Sequence, residues 1–167
     1  MTTGFSKKNF EEPGIDPFRE VDSALNDFLK VAELAGYSLA KSDLVVEMLS
    51  APHEPPKRLP SGKMAIYAFC GPSGWLKVGK VGPKSNARYT SQHYNKGSAP
   101  STLAASLWRH HEISPILGLT EADIKSWICE NCTRVNVLFS TDLPFSVLSL
   151  AEAFLHVRLN PQFEGMS

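Results

Sequence analysis

Residues 64–81 read "MAIYAFC", then "GPSG", then "WLKVGKV". Two short β-prone runs joined by a four-residue Gly/Pro/Ser turn specify an antiparallel hairpin. Just upstream, "APHEPPKRLPSG" places four prolines in twelve residues, which neither a helix nor a strand tolerates. That stretch reads as a stiff connector, and it predicts a boundary near residue 60. The expected division is therefore residues 1–60, a tail, a helical accessory segment and the connector, followed by a domain over 61–167.

In the first part, "FREVDSALNDFLKVAELA" places Val21, Leu25, Phe28, Leu29, Ala32 and Leu34 near a 3.6 period, so residues 18–35 are predicted helical. Gly36 is positioned to end that helix. A second helix is predicted over about 41–50, in "KSDLVVEMLS". After the hairpin, "PKSNARYTSQHY" and "STLAASLWRHH" read as helices, and "TEADIKSWICEN" opens with Thr120 and Asp123 in capping-box spacing. "TRVNVLFS" is a further strand, and "LPFSVLSLAEAFLHVRL" is a helix with Pro144 at its first position. The expected fold is α/β: a small, mainly antiparallel sheet flanked by helices in the order β-β-α-α-(α)-β-α, with an N-terminal helical extension.

The net charge is zero, but its distribution along the chain is uneven. Residues 61–110 hold Lys63, Lys77, Lys80, Lys84, Arg88, Lys96 and Arg109 and not one Asp or Glu, whereas residues 1–50 hold nine acids against five bases. A local positive field attracts phosphates, and charges farther off than a Debye length of about 8 Å do little to cancel it. The alternative is a chance run of bases on a wet surface. Apolar residues make up 43% of the chain, enough for a real core, and no apolar run reaches membrane-spanning length. No signal peptide is visible, and three cysteines suit a reducing compartment better than a disulfide framework, so the expected location is the cytoplasm.

In the last predicted helix the apolar stripe Leu148, Ala151, Leu155, Leu159 shares its face with Glu152. A partly desolvated carboxylate needs a positive partner, either a basic side chain or a metal ion. Mg²⁺ typically asks for only one or two carboxylates beside water and substrate phosphate.

"AIY" at 65–67, followed ten residues on by "KVG" at 77–79, resembles the paired strand motifs of the GIY-YIG nuclease superfamily. Lys80 directly after the second motif, Arg88 in the next helix, Glu152 in the final helix and the ending "LNPQFEG" extend the resemblance over about residues 63–165. Three positions depart from the pattern. Lys77 stands where Tyr is usual, as in certain bacterial and phage branches; Gln92, with His93 beside it, stands where His or Tyr is usual; and Glu164 stands where Asn is common.

The resemblance implies a Mg²⁺-dependent endonuclease, with Mn²⁺ as a substitute ion, that hydrolyses phosphodiester bonds in DNA, RNA being the alternative. Tyr67 would be the general base, Arg88 would hold the scissile phosphate and Glu152 the metal. A phenol with an ordinary pKa near 10 is a poor base at neutral pH, and Lys77 and Lys80 would favour the Tyr67 phenolate. Lys84, Gln92, His93 and Lys96 are the expected nucleic-acid contacts. Tyr89, Tyr94, Trp75 and Trp108 could stack on bases or simply pack in the core. The competing readings are a catalytically inactive nucleic-acid-binding module that keeps the fold, and a protein–protein adaptor built on the N-terminal helices. Those helices are also the expected surface for a homodimer.

"CENC" at 129–132 is a lone CxxC. Zinc would need two further ligands, such as His110 and His111, whose spacing matches no zinc pattern, so burial of both cysteines is the expected outcome. "LKVAELAGYSLAKSDLVVEML" has a faint helix-turn-helix pattern, but Asp43 and Glu47 give its second helix the wrong charge for a DNA groove.

Overall fold

Alternation along the hairpin sorts the chain into two cores. A computed structural model of the protein describes residues 14–110 and 120–163. Strand β2 (Lys63–Gly71) sends Met64, Ile66, Ala68 and Cys70 to one face of a sheet and Ala65, Tyr67 and Phe69 to the other. It pairs with β3 (Gly74–Val81) across the expected turn, where Gly74 takes φ +125°, a conformation that favours glycine. On its other side β2 pairs with β4 (Thr133–Ser140). With β1 (Val45–Leu49) at one edge, the four-stranded sheet has the order β1-β4-β2-β3, and every pairing is antiparallel.

The first face is covered by α1 (Pro17–Leu34) and α5 (Phe145–Leu159). Helix α1 starts as its sequence dictates: Asp16 accepts from the Arg19 backbone N–H at 3.1 Å, and Pro17 follows at the first helical position. Val21, Ala24, Leu25, Phe28 and Ala32 are buried along one stripe, and Gly36 (φ +89°) lies just beyond the end. In α5 the stripe Leu148, Ala151, Leu155, Leu159 is buried as expected, while Pro144 caps the helix from one position earlier than predicted. The second face is covered by α2 (Asn86–Thr90), α3 (Leu103–Arg109) and α4 (Ile124–Asn131). A 3₁₀ turn at Gln92–Tyr94 continues α2, so "PKSNARYTSQHY" is two short pieces rather than one helix. Thr120 and Asp123 form the expected reciprocal cap, Asp123 accepting from both the Thr120 backbone N–H and its hydroxyl.

The helix expected over 41–50 is not formed. Lys41–Asp43 make a single 3₁₀ turn, and Val45–Leu49 form β1, the edge strand beside β4. Two consecutive β-branched residues and an open edge on β4 outweigh a weak helical pattern. This strand removes the helix-turn-helix reading. It also makes the N-terminal part a structural component of the sheet, since α1 packs on β4 and α5 and β1 pairs with β4. No described helix is long and apolar enough to cross a membrane.

Candidate active site at the edge of strand β3

The motif residues meet around Gly79. Tyr67 and Gly79 are paired across β2 and β3, and the Tyr67 ring lies over the glycine. A Cβ at Gly79 would stand 2.2 Å from the Tyr67 hydroxyl and 2.5 Å from Cζ. The glycine of "KVG" is thus the gap through which the phenol reaches the sheet edge. From α2, Arg88 Nη2 donates to the Tyr67 hydroxyl at 3.2 Å and also to Ser101 Oγ at 3.2 Å. Ser85, the residue before α2, is held to Gly82 by a backbone turn that aims the short helix at Tyr67.

The opposite face contributes Lys80 and Glu152. Lys80 sits one residue past Gly79 and therefore points to the α5 side, where its ammonium pairs with Glu152 Oε2 and lies 5.8 Å from the Phe145 ring centre. One helical turn beyond Glu152, His156 Nε2 donates to the Val78 carbonyl at 3.0 Å and fastens α5 to β3. The chain after α5 runs back along the same edge: the Gln162 and Phe163 backbone N–H groups donate to Trp75 and Leu76 at 2.9 Å. Residues 162 and 163 therefore close part of the β3 edge, and Lys77 Nζ donates to the Phe163 carbonyl at 3.4 Å. Glu164, and His111 of the zinc reading, lie outside the described residues.

Tyr67, Lys77, Lys80, Arg88 and Glu152 are thus gathered at one edge, but three expectations about this region change. Tyr67 is fully buried, and burial pushes its phenol above the ordinary value; Arg88 and Arg134 oppose the rise, and Glu152 adds to it. Arg88 acts through both its hydrogen bond and its charge, and Arg134 through its charge. His93, expected on a nucleic-acid surface, is fully buried; its Nδ1 accepts from the Leu103 backbone N–H, and its ring packs 4.1 Å from that of Tyr67. The acid-free segment is also less positive in three dimensions than in one. Lys80 meets Glu152, Lys96 meets Glu121 at 2.7 Å, and Lys96 also lies 4.4 Å over the Trp108 ring. Lys84 is exposed, Gln92 is half-buried, and Tyr89, Tyr94 and Trp75 are core residues rather than stacking platforms.

Of the two cysteines expected to be buried, Cys132 is and Cys129 is half-buried; both carry free thiols, and burial pushes Cys132 up to about 12.

Arg134 and Asn136 belong to no motif of the sequence. They lie fully buried on β4, on the same face as Tyr67, inside a strand that reads as ordinary apolar pattern. The available signal was an arginine at an inward position of "TRVNVLFS".

His93 also makes stability depend on pH. Burial drives its pKa well below the ordinary value of 6.5, with Arg134, Arg88 and Lys77 acting in the same direction; His53 is lowered for the same main reason. The unfolded chain then binds protons that the folded chain refuses, so stability is intact above about pH 6.5 and falls on acidification. Denaturant unfolding between pH 7 and 5 is expected to show a loss of up to about 1.4 kcal/mol per pH unit from His93, and His93→Asn is expected to flatten the slope.

Comparison of the chain with protein-family models, with curated proteins and with solved structures finds no match.

Proposed function

We propose that the β3 edge is a phosphodiester-binding and phosphodiester-hydrolysing site. More particularly, we read the protein as a Mg²⁺-dependent endonuclease of GIY-YIG type acting on DNA. The observation that carries the reading is the convergence on Gly79 of Tyr67 with Arg88 from one face and Lys80 with Glu152 from the other. Each residue suits a part of the chemistry. Arg88 offers a planar fork to two phosphate oxygens, and its present partners, two hydroxyls, are neutral groups that a phosphate can displace. Lys80 supplies a second positive charge, and the Tyr67 oxygen is the candidate acceptor for a proton from the attacking water.

Glu152 suits a Mg²⁺ ion that keeps most of its water shell, because one part-buried carboxylate is enough for such binding. The ion, when bound, would supply positive charge to the departing oxygen. Lys80 then has to exchange Glu152 for substrate phosphate, a swap between two oxyanions that leaves neither charge unpaired.

A second reading is a nucleic-acid-binding module without catalysis, and two observations favour it: Tyr67 is fully buried, and Lys80 already covers Glu152. Tyr67→Phe separates the two. It keeps the ring and removes only the hydroxyl, so the fold should survive with a stability change below about 1.5 kcal/mol. On the nuclease reading, cleavage of DNA falls by at least about 10²-fold while salt-sensitive DNA binding is kept. Binding without cleavage in the unaltered protein would select the silent module.

A further inference from the structure

Arg134 is a fully buried cation with no carboxylate within ion-pair distance among the described residues. Its guanidinium carbon lies 5.6, 5.2, 5.0 and 6.0 Å from the ring centres of Tyr67, Phe69, Tyr89 and Tyr94. Nε donates to Asn136 Oδ1 at 2.8 Å and Nη1 to the Tyr94 hydroxyl at 3.4 Å, while Nη2 and the Asn136 amide nitrogen have no hydrogen-bond partner among the described residues. Burying a charge costs several kcal/mol, and apolar residues of similar size commonly replace buried ions without loss of stability. Four ring faces offset part of that cost. They explain how the charge is tolerated but leave open what it does there.

The surroundings of Tyr67 supply the answer. Arg88 approaches its hydroxyl from α2, and His93 packs on its ring from the 3₁₀ turn. Gly79 of β3 leaves room beneath it, and Arg134 and Asn136 face it from β4. Glu152 of α5 reaches it only through its field, which opposes ionisation, and Lys77 and Lys80 flank Gly79 on β3. The negative charge of a phenolate would therefore sit between two guanidinium groups, one at the oxygen and one beside the ring.

We propose that Arg134 is a positioning residue for Tyr67: it fixes the phenol ring over Gly79 and supplies the interior positive charge that allows the phenol to give up and recover its proton. The proposal rests on the reading of Tyr67 as the general base. In agreement with it, Arg134, like Arg88, holds the Tyr67 phenol below the value burial alone would give. No co-reactant is involved: the phenol proton leaves to solvent or product, and the ring oxygen takes the next proton from the attacking water.

The test uses the full chain without DNA. 3,5-Difluorotyrosine, a more acidic phenol, is placed at position 67 and titrated by fluorine NMR in the otherwise unaltered protein, in Arg134→Met and in Arg134→Lys. The midpoint is expected to rise in Arg134→Met by about one pH unit or more, a tenfold loss of ionisation, and to return toward the original value in Arg134→Lys. A folded Arg134→Met with an unchanged midpoint overturns the proposal, because a purely structural arginine would lower the melting temperature and leave the titration alone. If Arg134→Met fails to fold, the Arg134 Nε resonance of the unaltered protein decides. It is expected to shift with the fluorotyrosine midpoint, and a resonance that stays put overturns the proposal. Neither measurement requires cleavage, so failure of the nuclease reading shows separately, in the DNA assay.

Discussion

Phe28→Ala is expected to destabilise the whole chain by about 3–5 kcal/mol, and the variant is expected to melt in one transition. Phe28 belongs to α1, in the part of the sequence that reads as an accessory segment. It is nevertheless fully buried, with its ring edge-on to Phe139 of β4 at 6.4 Å and tilted against Phe154 of α5 at 6.0 Å. Truncation to alanine removes both ring contacts and leaves a cavity between the sheet and two helices, which neighbours held by backbone pairing cannot close. Urea unfolding followed by tryptophan fluorescence and by far-ultraviolet circular dichroism should give coincident curves at a lower midpoint. A loss below about 1 kcal/mol, or two separated transitions, would mean that α1 is a detachable layer after all.

The second large effect belongs to Gly79. Gly79→Ala is expected to cost about 1–3 kcal/mol of stability and to lower DNA cleavage by at least about 10²-fold. The added methyl carbon would sit 2.2 Å from the Tyr67 hydroxyl. That oxygen is the end of a rigid ring, not of a flexible chain, and the ring is hemmed by His93, Phe69 and Arg134. Tyr67 must therefore shift bodily, which breaks the 3.2 Å hydrogen bond from Arg88. Gly82→Ala is the control, since its added carbon would meet Phe145 at 3.4 Å, and a change within about 0.5 kcal/mol is expected. Equal effects at the two glycines would sink the idea that Gly79 is there to admit the phenol.

The parts of the fold legible in the sequence were those whose pattern is local. The α1 stripe from Val21 to Ala32, the hairpin around "GPSG" and the α5 stripe from Leu148 to Leu159 each carry their own period, turn or cap. Residues 45–49 carry no such signal, because β1 exists only by pairing with β4, about ninety residues farther along the chain. The site divides in the same way. The neighbourhood of Tyr67, Gly79 and Arg88 follows from one hairpin and the short helix after it. Counting charges along the chain could not show that Glu152 and Glu121 return from distant segments to meet Lys80 and Lys96. Arg134 has no legible role in the sequence, because a buried arginine inside a sheet is rare and no motif marks it. The polarity of His93 suggests a surface position, whereas one ring nitrogen serves a backbone N–H deep in the core.

Arg88, Tyr67, Lys80 and Glu152 have their proposed meaning only if the β3 edge breaks phosphodiester bonds. The most direct measurement is nicking of supercoiled plasmid DNA at low salt, with Mg²⁺ or with EDTA, by the unaltered protein and by Glu152→Ala. Cutting is expected to require Mg²⁺ and to disappear in the variant. Cutting that survives in Glu152→Ala, or no cutting by an unaltered protein that still binds the plasmid, would contradict the nuclease reading.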